Sequence, residues 1–155
     1  DYTLSRKHWT LRLRQEDDAV VCTFETALEG LSRLALDCQA KTIEEGAAIL
    51  ARSPDLPESA RQALMGGVFI PTCGAKFTRL AGILELPGCT AELALDEGIL
   101  LGGGKELPFR EVEVELKEGT DEAAIAFAQE LAAEFGLVPE GKSKFARALG
   151  LYKGE

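Results

Sequence analysis

Phe109-Arg110-Glu111-Val112-Glu113-Val114-Glu115-Leu116-Lys117-Glu118-Gly119 alternates polar and apolar residues from Glu111 to Lys117. Successive side chains of a strand point to opposite faces, so Glu111, Glu113, Glu115 and Lys117 share one face and Val112, Val114 and Leu116 the other. A solvated acidic face is the plainest account of such a pattern. Three carboxylates spaced two apart repel one another, however, and exposed faces ordinarily mix signs. A bound hard cation removes that conflict, and such cations commonly hold phosphates too. Cationic side chains brought to the same face by other strands would complete a phosphate-and-metal site.

The 155 residues, 46% of them hydrophobic, suit one globular domain with a core. There is no apolar run of about 18 residues, so no membrane span is expected. A net charge of −9 argues against duplex nucleic acid as a partner, although a basic pocket can exist inside an acidic protein. Cys22, Cys38, Cys73 and Cys89 form no CxxC pair and read as reduced, mostly buried thiols of a cytosolic, cytoplasmic protein. The chain opens on Asp1, which points to sequence upstream of it.

Working outward along the chain, Trp9, Leu11 and Leu13 alternate with Thr10, Arg12 and Arg14, a strand with a basic face. Glu16-Asp17-Asp18 turns it into a partner over Ala19 to Ala27, and a third strand runs from Arg33 to Ala40. Thr42-Ile43-Glu44-Glu45 is a capping box, opening a helical insertion over about 42–65 that is interrupted at Pro54 and Pro57. Strand character resumes from Gly74 to Leu86, where a bulge would bring Lys76 and Arg79 together, and Pro87-Gly88 turns the chain. Glu92, Ala94 and Asp96 share a face before a second expected turn at Glu97-Gly98, with the acidic strand after Gly102-Gly103-Gly104. Helices follow over about 120–135, capped by Thr120, and 143–150, capped by Ser143 and bearing Lys144 and Arg147.

Six or more hairpin-connected strands, each with one apolar and one charged face, are satisfied by an α+β fold: an antiparallel β-barrel with a polar interior and helices packed outside. Its walls would carry Arg12, Arg14, Arg33, Lys76, Arg79 and Lys117 beside Asp37, Glu92, Asp96, Glu111, Glu113 and Glu115. Internal ion pairs alone are one reading of that mixture. A polyanion held by arginine forks, accompanied by a metal on the carboxylates, is the other.

WTLRLR (9–14), AELALDEG (91–98), EVEVELKEG (111–119) and SKFARALGL (143–151) together resemble the CYTH family, the triphosphate tunnel metalloenzymes. That resemblance implies an eight-stranded tunnel that binds a triphosphate or polyphosphate with Mg²⁺ or Mn²⁺. The length suits one such domain over 1–155, and a strand edge left open by an upstream first strand admits a monomer or a homodimer. The resemblance implies substrate-binding roles for Arg12, Arg14, Arg79, Lys144 and Arg147, and the charged strand faces add Arg33, Lys76 and Lys117 as expected substrate-binding residues beside them. It further implies metal ligation by Asp96, Glu113 and Glu115, with Glu113 and Glu115 catalytic, and Glu111, which continues their face, is expected to join them through water. The family's N-terminal ExExK strand would lie upstream of Asp1; Glu25 stands where a basic residue is usual, and Ala35 where the RxExE pattern has a carboxylate. The leading expectation is metal-dependent hydrolysis of tripolyphosphate or a related small triphosphate. A class IV adenylyl cyclase and a non-catalytic polyphosphate- or nucleotide-binding module are the alternatives.

Overall fold

The computed structural model describes residues 3–26 and 33–155. Its class is α+β, with six described strands arranged as two three-stranded antiparallel sheets. Two compact units result, Asp1–Ile70 and Pro71–Glu155. A single domain is the expectation from the sequence; each of the two units has a sheet and a core of its own.

In the first unit a short helix α1 (Thr3–Arg6), which no sequence pattern announced, precedes β1 (Thr10–Glu16), β2 (Ala19–Thr26) and β3 (Leu34–Gln39) in the order β1-β2-β3. The expected end of the second strand at Ala27 lies outside the described residues. Register pairs Arg12 with Thr23 and Thr23 with Asp37, whereas Leu11, Phe24 and Leu36 line up on the reverse face. That apolar face is covered by α2 (Ile43–Leu50) and α3 (Glu58–Met65). Thr42 caps α2 by accepting from the Glu45 N–H at 3.1 Å, and the Glu45 carboxylate reaches back to the Lys41 N–H at 2.7 Å. Phe24 is fully buried beneath Leu50 and Leu64, with Trp9 edge-on at 5.8 Å. Burial of a side chain that size contributes roughly 1.5–3 kcal/mol.

The second unit is built on three long strands, β4 (Cys73–Leu86), β5 (Cys89–Gly102) and β6 (Lys105–Gly119). Pro87-Gly88 turns β4 into β5 as read from the sequence. The turn expected at Glu97-Gly98 does not form, and β5 runs straight through it. Glu97 is held there by its cross-strand neighbour Arg110, at 2.8 Å, and Gly98 sits directly between Phe77 and Phe109. A Cβ at 98 would strike the Lys76 carbonyl oxygen and the Phe77 backbone, so this glycine serves close approach rather than reversal. Reversal falls on Gly103-Gly104, both at positive φ, a two-residue hairpin loop that only glycine-like residues enter easily.

The β4–β5 register is continuous, so the bulge expected near Lys76 and Arg79 is absent and the two side chains fall on opposite faces. The irregularity lies instead between Thr90 and Ala91, where Lys117 is the extra residue of β6. Two helices take opposite faces of this sheet. α4 (Asp121–Phe135), capped by Thr120 and closed by Gly136, lays Ala123 and Ala124 on Cys89, Ala91, Val114 and Leu116. α5 (Lys144–Lys153), longer than expected, seats Ala148 and Leu151 on Leu100 and Phe109, which belong to the same face as Asp96 and Glu111. Outside packing of both helices on apolar faces was the expectation. α5 departs from it because the charged face becomes apolar at one end, and the helix anchors there.

No helix among the described residues is long and apolar enough to cross a membrane.

Candidate active site on the second sheet

Period-two alternation and register place Arg79, Asp96 and Glu111 side by side across three strands, with Glu113 one step further on the same face. Because α5 is anchored through Ala148, its first turn lies over these residues. Ser143 caps that turn, accepting from the Ala146 N–H at 3.1 Å. Lys144 and Arg147 stand three apart on the helix and therefore reach down together.

Asp96 lies at the centre of the cluster. Its side chain is 0% exposed, and it accepts two bonds from Arg79 at 2.7 Å, through Nε and Nη2. Lys144 Nζ lies 2.7 Å from Oδ2, the oxygen that also accepts from Arg79 Nη2, and it pairs with Glu111 and Glu113 as well. Arg79 reaches Glu113 at 2.6 Å, and Arg147 pairs with Glu111. Three cations and three carboxylates are thereby interlocked.

Burial by itself would raise the Asp96 carboxyl, but the bonds from Arg79 and Lys144 outweigh it and hold the group below the usual carboxylate range. Glu111 is likewise lowered: burial opposes, and Lys144 and Arg147 prevail. Lys144 is raised, burial being overcome by bonds to Asp96, Glu111 and Glu113. The Arg79 guanidinium is raised chiefly by its bonds to Asp96.

Depressed carboxyls contribute stability that is present above their unfolded-state values and is lost as pH falls through the folded ones. The raised lysine contributes stability present below its unfolded value, about 10.4, and lost as pH rises past the folded one. Thermal stability should accordingly be flat through neutrality, fall below about pH 4, and fall again above about pH 10. A melting series from pH 2 to 12 on wild type and on Asp96→Asn checks this, since the acid limb should shrink in the variant.

One carboxylate oxygen from each of Asp96, Glu111 and Glu113 lies within 4.8 Å of the others. All are hard donors, which suits Mg²⁺ or Mn²⁺ rather than a thiophilic metal. Glu115 is not among them. It is 63% exposed and pairs with Lys117 at 3.1 Å, two residues along the strand from the cluster.

On the first unit, Arg12 and Arg14 are exposed and, among the described residues, have no ion-pair partner. They border a shallow concavity of about 260 Å³ together with Thr23, Glu25 and Asp37. Thr23 donates to Asp37 at 2.6 Å, and Arg33 pairs with Glu25. Ala35 stands directly across from Glu25, so the two departures from the family pattern are neighbours. Lys76 is exposed on the face of β4 away from Arg79.

Thiol chemistry gains no support. All four cysteines are free, and burial, reinforced by Cys38 and Asp37, pushes Cys22 up to about 11. Cys73 is raised by burial as well.

Residues that sequence reasoning passed over are Phe77 and Phe109. Their rings meet edge-on at 5.8 Å above Gly98, directly among the three cations. Only the cross-strand register exposes this, since a linear reading takes Gly98 for part of a turn and gives Phe77 and Phe109 no role.

No family model matches the chain. The inorganic triphosphatase of Haemophilus influenzae (strain ATCC 51907 / DSM 11121 / KW20 / Rd) is 27% identical over 155 residues, taking in 95% of this chain and 42% of that protein. The likeness is to a triphosphatase. This chain spans less than half the length of the curated relative it matches.

Proposed function

We propose that this chain hydrolyses inorganic tripolyphosphate, or a related small triphosphate, at the charged face of β4–β6 with Mg²⁺ or Mn²⁺ as cofactor. The observation that carries the reading is the interlocked set of Arg79, Lys144 and Arg147 with Asp96, Glu111 and Glu113. Buried ion pairs are a poor source of stability, because desolvation offsets much of their attraction. A metal–triphosphate complex fits both halves of the set at once, cations to phosphate oxygens and carboxylates to metal. Similarity to a protein named inorganic triphosphatase supports the same class of reaction.

The arginine forks of Arg79 and Arg147 match phosphate oxygens bidentately, and Lys144 adds a point charge at the first residue of α5, where the helix dipole is also positive. Together they would hold the phosphate chain and offset charge on the departing phosphate. The bound cation would supply charge neutralisation at the terminal phosphoryl group. Glu113 is the most exposed of the three carboxylates, 42% against 15% for Glu111 and 0% for Asp96, and on this reading it would be the one to take a proton from water. Glu115 stands behind it as a second carboxylate once Lys117 is drawn to phosphate. Arg12 and Arg14 belong to the same reading as free phosphate ligands. Arg33, Lys76 and Lys117 are weaker members of it: two are already paired and Lys76 points the other way. Closure of the strands into a barrel is its counterpart in fold, in keeping with Arg12, Thr23 and Asp37 sharing one face of the first sheet and Arg79, Asp96 and Glu111 one face of the second.

Phosphate release from inorganic tripolyphosphate, with Mg²⁺ and then Mn²⁺, is the test. Glu113→Gln should lower release at least about 100-fold and Glu115→Gln by less. Undiminished release by Glu113→Gln, or release that survives chelation, sinks the assignment. A non-catalytic polyphosphate-binding module is the second reading, favoured by the Glu25–Arg33 pair. Tight tripolyphosphate binding without release would support it.

A further inference from the structure

We infer that Phe77 and Phe109 form an aromatic floor that keeps the cations of this face aimed at phosphate, which makes them positioning residues for the reaction proposed above, the reading on which the inference rests. The floor exists because of register: Phe77, Gly98 and Phe109 lie directly opposite one another on β4, β5 and β6. With no side chain at 98, the two rings meet edge to face, centroids 5.8 Å apart and planes at 66°. Every cation of the cluster stands over one of them. Arg79 is 5.7 Å from the centre of Phe77, and Arg147 is 5.6 Å from that of Phe109. Lys144 lies over both, at 5.0 and 5.8 Å.

A ring and a carboxylate hold a cation differently. The carboxylate takes the N–H donors and cancels the charge, whereas the ring attracts the cation through its face and leaves both charge and donors available. When Asp96, Glu111 and Glu113 are given over to another partner, the rings are what remains to fix Arg79, Lys144 and Arg147. This accounts for a ring such as Phe77, 41% exposed, in the middle of a charged face.

The test replaces Phe77, and separately Phe109, in the whole chain by phenylalanines carrying one, two and five fluorines, which drain the ring's negative face with little change of shape. Tripolyphosphate affinity is measured by calorimetry without metal, and KM and kcat with it. Affinity should weaken stepwise, roughly three- to tenfold across each series, with KM rising in parallel and kcat changing less. A flat series in a chain that binds like wild type overturns the inference and leaves the triphosphatase reading standing. If the unsubstituted chain binds no tripolyphosphate, that reading fails and the inference with it. Should fluorination at the buried Phe109 impair folding, the exposed Phe77 series decides alone.

Discussion

Lys144→Met is expected to abolish at least 99% of tripolyphosphate turnover, about two orders of magnitude, while tightening Mn²⁺ binding to the substrate-free chain. The two effects have one geometric cause. Lys144 Nζ sits 2.7 Å from Asp96 and also on Glu111 and Glu113, the same three carboxylates that bring one oxygen each within 4.8 Å of the others. The ammonium thus occupies the cradle that a divalent cation would need. Methionine keeps most of the length and apolar stem of lysine and removes the ammonium with its charge and donors. Turnover falls because a phosphate ligand is lost; metal affinity rises because a competitor is lost. Mn²⁺ titration followed by electron paramagnetic resonance reads the second effect without reference to activity. Weaker Mn²⁺ binding in the variant would mean that the three carboxylates hold lysine and nothing else.

Asp96→Leu should cost about 3 kcal/mol of stability in the second unit, near the lower end of what removing one partner of a buried ion pair costs. The Asp96 side chain is wholly buried, but Arg79 is 35% exposed and Lys144 16%, so water relieves part of the uncompensated charge. For a unit of this size the loss corresponds to a fall of roughly 12–24 °C in Tm. Asp96→Asn, which still accepts hydrogen bonds, should lose about half as much. If the cost arises from stranded charge rather than lost shape, combining Asp96→Leu with Arg79→Met and Lys144→Met should recover most of it. Circular dichroism melts of the set decide the matter; a Tm within about 3 °C of wild type for Asp96→Leu alone would refute the account.

The strands and helix starts were legible because they are written in local chemistry. Alternation over Glu111–Lys117 and the caps Thr42, Thr120 and Ser143 each involve residues within a turn or two of one another. What could not be read is non-local. Glu97-Gly98 has the composition of a turn, and only Phe77 and Phe109, remote in sequence, explain why it is a strand. Lys76 and Arg79 differ in parity, and nothing short of the register could say that no bulge reconciles them. Glu111, Glu113 and Glu115 look equivalent in the sequence. The seat of α5 over one end of the face separates them, favouring the first two. Amphipathicity indicates that a helix has an apolar side, but not which side of a sheet will receive it.

The balance of charge in the cluster has a kinetic side. Three positive and three negative groups sum to zero, so within a Debye length, about 8 Å at physiological ionic strength, the cluster adds little attraction to offset the field of a chain whose net charge is −9. Encounter is then mildly repelled rather than steered, and recognition begins at contact, when ion pairs are traded one for another. On the proposed reading, selectivity for a compact, highly charged anion would follow, since a weakly charged one has too little to offer Arg79, Lys144 and Arg147 in exchange for the carboxylates they already hold.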